Sequence, residues 1–328
     1  MGRTGKGTTS KSAAHCRRRR GACHRKKSGA HLQQTKELRF QFIETHRSEF
    51  RVEKMCSMLK VSRSGFYKWR EKKTSPQAER KAKLLQRITY HFKDNQRRYG
   101  SPKITKLLQK EGYTVSERTV GKYMQELGLR SCVAKRFHVK TTDSHHDLPI
   151  APNLLNQEFK TDEPNRVWVT DITYIPCREG RLYLASVLDL CTREIVGFKV
   201  DDRMTTELVL GALEDAYQAK RPKKGLTHHS DRGSQYASVE YRKRLEKYHM
   251  KASMSRKGNC YDNACIESFH SLLKKEFVYC TKFKTKEQAK HEIFQYIEFF
   301  YNRKRIHSAL GYVSPVQFAA QFKKRKHA

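Results

Sequence analysis

Acidic residues are the scarce class in this chain: 33 Asp and Glu stand against 69 Lys and Arg, for a formal net charge of +36 over 328 residues. The basic residues run along the whole length, so a polyanionic partner is expected. Long apolar runs are missing as well. None approaches the roughly 18 residues that span a bilayer, which puts nucleic acid ahead of a membrane as the polyanion. The nine cysteines are odd in number and include no Cys-x-x-Cys pair, a pattern of reduced thiols rather than a disulfide framework. His15, Cys16, Cys23 and His24 cluster near the start, but at no zinc spacing. "GRTGKGTT" is no phosphate loop, because no Gly stands at the required distance before a Gly-Lys-Ser/Thr. The first 30 residues hold ten Lys and Arg, no acid and no apolar stretch, unlike a secretory signal.

What is present is organised. With 37% hydrophobic residues the chain can form two or three domains. Residues 1–35 read as a basic, disordered tail. Residues 36–75 show helical periodicity broken by a tight turn at Lys60-Val61, with Ser62 capping the next helix: a helix-turn-helix pattern. Val52, Met55, Cys56, Leu59, Phe66 and Trp69 are its expected inward positions. Residues 78–145 hold a second such region and a linker. There Ile104, Leu107 and Leu108 line one helix, Gly112 ends it, and Ser116 caps a second with Val120, Tyr123, Met124 and Leu127 inward. Ser62, Arg63, Arg118, Thr119 and Lys122 sit where a recognition helix offers side chains to DNA. The competing reading is a plain helical hairpin.

Further on the period changes from 3.6 to 2. "RVWVTDITYIP", "LYLASVLDL" and "REIVGFKV" form a strand meander, followed by a helix, the short strand "GLTHHS" and two more helices. This describes a mixed α/β sheet with helices on its faces. Asp171 falls inside the first strand, where a buried carboxylate needs a partner. Asp231 closes the fourth, where α/β sheets place ligands. Glu267 lies on the flank of a helix whose Ile266, Phe269, Leu273 and Phe277 turn inward. Singly these are a turn former, an edge-strand acid and a solvated helix residue; Asp189, a further strand acid, is read as structural. Together they form an oxygen-only set suited to Mg²⁺ or Mn²⁺ rather than zinc, and two such ions serve phosphodiester chemistry. His228 and His229 alternate across a strand, so both cannot face one metal.

"TDITY" at 170–174, "HSDRGSQY" at 229–236 and "GNCYDNACIESFHSLLKKE" at 258–276 resemble the signature blocks of insertion-sequence transposases with a retroviral-integrase core. Residues 232 to 266, thirty-five in all, separate Asp231 from Glu267, the interval that names the DD(35)E class. "MCSMLKVSRSGFYKW" at 55–69 and "YNRKRIHSALGYVSPVQF" at 301–318 extend the resemblance to the group whose elements carry two overlapping reading frames. The resemblance implies a ribonuclease H-like fold over 160–320, with a five-stranded mixed sheet. Asp171, Asp231 and Glu267 would hold two Mg²⁺ ions, or Mn²⁺, for 3′-end cleavage and strand transfer, commonly through a circular intermediate. Lys274 and Lys275 would contact phosphates near the scissile bond. Asn259 and Asn263 would orient the preceding loop, Tyr301, Asn302, His307 and Ser308 would fix a helix and turn, and Arg303, Lys304 and Arg305 would add DNA contacts. The implied partners are double-stranded element ends and target DNA, further copies of the chain in a synaptic complex, and an upstream-frame protein, in the bacterial cytoplasm at the nucleoid. The family's upstream frame brings its own helix-turn-helix and leucine zipper; residues 1–35 show neither and read as a start-site artefact or frame remnant. Two other readings are a DNA-binding regulator with an inert core and a metal-dependent nuclease without strand transfer.

Overall fold

The computed structural model describes residues 35–71, 75–134, 149–257 and 259–327. The basic tail, apart from Thr35, lies outside the described residues, as does the polar part of the linker at 135–148. The described residues divide into two compact units, with the boundary at Leu84–Leu85.

In the first unit, α1 (Lys36–His46), α2 (Val52–Met58) and α3 (Arg63–Arg70) close on Ile43, Met55, Cys56, Leu59 and Phe66. Trp69 is half-buried over Phe40, ring centroids 5.7 Å apart. The turn between α2 and α3 passes through Lys60 at φ 52°, and Ser62 accepts the Gly65 N–H at 3.2 Å to cap α3. The helix α4 (Pro76–Asp94) carries the unit boundary.

The second unit opens with a helical pair, α5 (Ser101–Lys110) and α6 (Glu117–Glu126). Ile104, Leu108, Val120 and Met124 are buried between them, Gly112 supplies the turn at φ +88°, and Ser116 caps α6. Leu127, expected to point inward, follows the last residue of α6 and is 37% exposed.

The sheet has five strands in the order β3-β2-β1-β4-β5. Strands β1 (Val167–Cys177), β2 (Gly180–Asp189) and β3 (Ile195–Asp201) form the antiparallel meander. After α7 (Thr206–Lys220), β4 (Thr227–Ser230) pairs in parallel with β1. Helices α8 (Ser234–Ala237) and α9 (Val239–Lys247) lead to β5 (Lys251–Met254), parallel to β4. This fifth strand, "KASM", is too short and too weakly alternating to read from periodicity. One face of the sheet is covered by α7 through Leu208, Val209, Ala212, Leu213 and Ala216. Gly197 lets β3 and α7 touch: a Cβ there would stand 2.4 Å from the Ala212 carbonyl oxygen. Against β1 packs α10 (Ala264–Glu276), with Ile266, Phe269 and Leu273 buried.

The chain closes with α11 (Lys286–Gln295), which runs into a π-turn at Tyr296–Tyr301, and α12 (Pro315–His327). Asn302 acts as a substitute strand against the edge of the sheet, its side-chain oxygen accepting from the Ile195 N–H and its amide donating to the Ile195 carbonyl, both at 3.0 Å. Tyr301 packs edge-on to Phe269 at 4.7 Å.

Candidate active site

The parallel ladder pairs Val167 with Thr227, Trp168 with His228 and Val169 with His229. Two steps further the same register levels Asp171, within β1, with Asp231, the first residue after β4. Asp231 turns the chain there, its Oδ1 accepting the Gly233 N–H at 3.0 Å. Glu267 stands in the first turn of α10, and the start of that helix is tied to β1: buried Asn263 donates from Nδ2 to the Thr170 carbonyl at 3.0 Å. The backbone position just before Asp171 therefore anchors the helix that carries Glu267. Burial raises the Glu267 pKa although its side chain keeps an accessible face, and the neighbouring Asp171 charge raises it further.

Two groups in this cluster have no counterpart among the residues singled out from sequence. His270, one turn beyond Glu267 and 5% exposed, puts Nδ1 3.3 Å from Asp171 Oδ2 and Nε2 2.7 Å from Ser186 Oγ. Tyr236 is buried with its hydroxyl 3.2 Å from Thr170 Oγ1, and its pKa is raised far above the phenol range, by burial first and then by Tyr241, Asp171 and Asp231. The signal for His270 was its spacing three residues after Glu267, on the same helical face. Tyr236 carried none, since an aromatic in a short helix reads as core.

Asp171, Asp231 and Glu267 offer only oxygen donors; the Asp171 charge acts on Glu267, and those of Asp171 and Asp231 both act on Tyr236. A divalent cation fits that chemistry. Among the described residues no three His, Cys, Asp or Glu side chains stand close enough together to hold one metal ion, so the three acids are near one another without being gathered into a closed ligand set. The histidines before Asp231 are spent on structure. His228 Nε2 meets the Tyr241 hydroxyl at 2.6 Å, and His229 lies between Ser253 and Ser255 at 2.8 and 3.1 Å. Burial lowers their pKa values to about 3 and about 4. Asp189, 1% exposed, holds the β2–β3 turn through Thr192 and the approach to β1 through the Asn165 N–H, and burial raises its pKa.

Of the other basic candidates, Lys274 lies over the Tyr174 ring, 4.3 Å from its centroid. Burial lowers its pKa while the Asp171 charge raises it. Lys275, next to it, is half-buried. Arg118 and Lys122 are exposed one turn apart on α6, and Thr119 is half-buried. The Ser62 hydroxyl caps its helix, and Arg63 forms an exposed ion pair with Glu53 at 3.1 Å. Arg305 departs from expectation: it is 4% exposed and grips Glu276, so it is no DNA contact. Lys304 pairs with Asp94 at 2.8 Å. Asn259 orients the loop before α10 by accepting the Tyr261 N–H at 3.1 Å. That loop is pinned by Asp262, which takes three bonds from Arg256 and one each from Asn153 and Gln157, at 2.8 to 3.1 Å.

A mixed sheet of order 3-2-1-4-5, with an acid on its central strand level with another at the end of the adjoining parallel strand, defines the ribonuclease H-like integrase core of polynucleotidyl transferases. Family models agree: an integrase core domain matches residues 161–260 and again 267–322, and an HTH-like domain matches 79–137. Transposase InsF for insertion sequence IS3A of Escherichia coli (strain K12) is 39% identical over 284 residues, 86% of this chain and 98% of the relative. The insertion element IS600 uncharacterized 31 kDa protein of Shigella sonnei is 44% identical over 268 residues, 82% of this chain and 98% of the relative. The HTLV-2 integrase catalytic core domain, solved in complex with magnesium, aligns with a TM-score of 0.40 at 15% identity, covering 49% of this chain and 99% of that one. The chain belongs to the IS3-type transposases of the retroviral-integrase superfamily. It is thus an enzyme of insertion-sequence mobility, and among the described residues no helix is long and apolar enough to cross a membrane.

Proposed function

We infer that Asp171, Asp231 and Glu267 are the catalytic acids of this transposase and would together hold two divalent cations, Mg²⁺ or Mn²⁺. The observation that carries this is the β1–β4 register, which levels Asp171 with Asp231, together with the Asn263–Thr170 bond that brings in the helix of Glu267. Bound there, the cations supply Lewis-acid polarisation of the phosphate and the counter-charge three carboxylates need. Water attacks the phosphorus at an element end and its P–O3′ bond breaks, freeing a 3′-OH. That hydroxyl then attacks a target phosphorus and displaces the target's own 3′ oxygen, with no covalent protein–DNA intermediate. Lys274 and Lys275 contact phosphates beside this bond. Arg63, Arg118 and Lys122 bind duplex DNA, and Ser62 shapes the helix that presents Arg63. The unit of action is a synaptic complex of several copies on two element ends, with an upstream-frame protein as a further partner, at the bacterial nucleoid. The domain scheme that serves this is a helix-turn-helix over 36–75, a second over 78–145 and the core over 160–320.

A regulator with an inert core is not favoured, because the sequence carries all three acids and the relatives include transposases. Terminal DNA incubated with the full chain and Mg²⁺, then sequenced, tests the chemistry. Products with a 3′ end joined to a second strand support transposition; nicks that never join point to the nuclease reading.

A further inference from the structure

Ser186 is the cross-strand partner of Asp171 in the β1–β2 ladder, so the two side chains share one face of the sheet. His270 comes from α10 and meets both, with Nδ1 3.3 Å from Asp171 Oδ2 and Nε2 2.7 Å from Ser186 Oγ. The other carboxylate oxygen, Oδ1, accepts the Ile172 N–H at 2.8 Å. Oδ1 of Asp171 is thus held by one hydrogen bond, Oδ2 lies in close polar contact with His270 Nδ1, and each oxygen keeps a further lone pair for a ligand. With an ionised carboxylate as acceptor, Nδ1 carries the ring hydrogen, and the Ser186 hydroxyl completes Nε2. Ser186 is fully buried and His270 nearly so, so turning the ring would leave polar groups unpaired away from water.

We propose that His270 is a positioning residue of the transposition reaction: its Nδ1–H, steadied by Ser186, fixes the Asp171 carboxylate in one orientation before a divalent cation arrives. The inference rests on the reading of Asp171 as a metal-binding acid. It differs from ordinary core packing in making one ring nitrogen, and not the other, the functional one. Partners that orient metal ligands in this way are generally worth about 10–100-fold in metal affinity.

Side-chain geometry separates the two nitrogens. Asparagine places its amide where Nδ1 stands, and glutamine reaches the position of Nε2. His270→Asn therefore keeps the donor to Asp171 and loses Ser186, while His270→Gln does the reverse. Mn²⁺ binding to each full-length variant is measured without DNA, from the loss of the free-ion paramagnetic resonance signal, next to its thermal midpoint. Cleavage against Mg²⁺ concentration is a second readout. The expected result is Mn²⁺ binding weakened about 10–100-fold in His270→Gln, with His270→Asn close to the parent. Equal weakening in both variants, or none in His270→Gln, overturns the inference. Should His270→Gln fail to fold, Ser186→Ala decides: it retains the Nδ1 donor and is expected to bind Mn²⁺ nearly as the parent does, and a loss well beyond that of His270→Asn overturns the proposal. Asp171→Asn separates the two levels. If it binds Mn²⁺ and cleaves like the parent, the metal reading fails; if it loses both while His270→Gln does not, only the role of His270 fails.

Discussion

Glu276, the last residue of the helix that carries Glu267, receives two hydrogen bonds from Arg305, at 2.9 and 2.8 Å, with both side chains almost wholly buried. Lys103 stands 3.7 Å from the same carboxylate, Tyr296 donates to it at 3.1 Å, and Arg98 bonds the Glu276 carbonyl at 3.2 Å. The far end of α10 is thereby fastened to the segment leading into the α5–α6 pair and to the closing block. Burial works against both charges, but each partner more than offsets it. Glu276 stays below the usual carboxylate range and Arg305 above its ordinary value. Removing one member leaves a buried charge uncompensated, so Arg305→Met is expected to cost about 3–5 kcal/mol. Chemical denaturation of the full chain measures this, and a loss below about 1 kcal/mol would count against it.

Arg118 and Lys122 share one exposed face of α6. If that face binds phosphates, replacing both by Ala weakens binding to terminal DNA and lowers the slope of log affinity against log salt by about 2. An unchanged slope would assign the electrostatic contacts elsewhere.

The meander, the α7 helix and the strand ending at Asp231 were legible because their side chains alternate or repeat cleanly, and the two capped helical turns because Ser62 and Ser116 mark them. The three acids stood out only as a set, through their spacing and the blocks around them. Other features left no periodic trace. Strand β5 is four residues long, and the burial of Arg305 depends on Glu276, which is 29 residues away. His270 was hidden because a histidine on a helix has many ordinary roles until its partners are known.

Asp262 has no exposed surface, and its bond to the Arg256 guanidinium overcomes burial to hold its pKa well below the ordinary carboxylate value. A depressed carboxylate stabilises above its unfolded pKa and loses that contribution as pH falls through the folded one. At neutral pH, Asp262→Asn removes the charge from these bonds and is expected to cost about 1–3 kcal/mol locally. Hydrogen exchange at Tyr261 to Ala264 should speed up while β1–β3 stay protected. Unchanged exchange in that loop would show that Asp262 does not pin it.

His228 is buried and His307 half-buried, with pKa values lowered from 6.5 to about 3 and about 4, by burial first, then by the His229 ring for His228 and by Arg305, Arg193 and Lys103 for His307. In the unfolded chain both bind protons as pH drops through about 6.5, before the folded protein does. Stability is therefore full above that pH and lost as pH falls toward 4. The thermal midpoint should decline across this window, and less steeply in His307→Gln. Parallel declines would exclude His307 from the effect.

The central claim is that Asp231, level with Asp171 across the parallel ladder, is a metal-binding catalytic acid. Asp231→Asn changes one oxygen to an amide with almost no change in shape. In parallel assays of terminal-DNA binding and Mg²⁺-dependent cleavage and joining, binding is expected to stay near the parent value while both reactions vanish. Cleavage and joining near the parent rate by Asp231→Asn would contradict it.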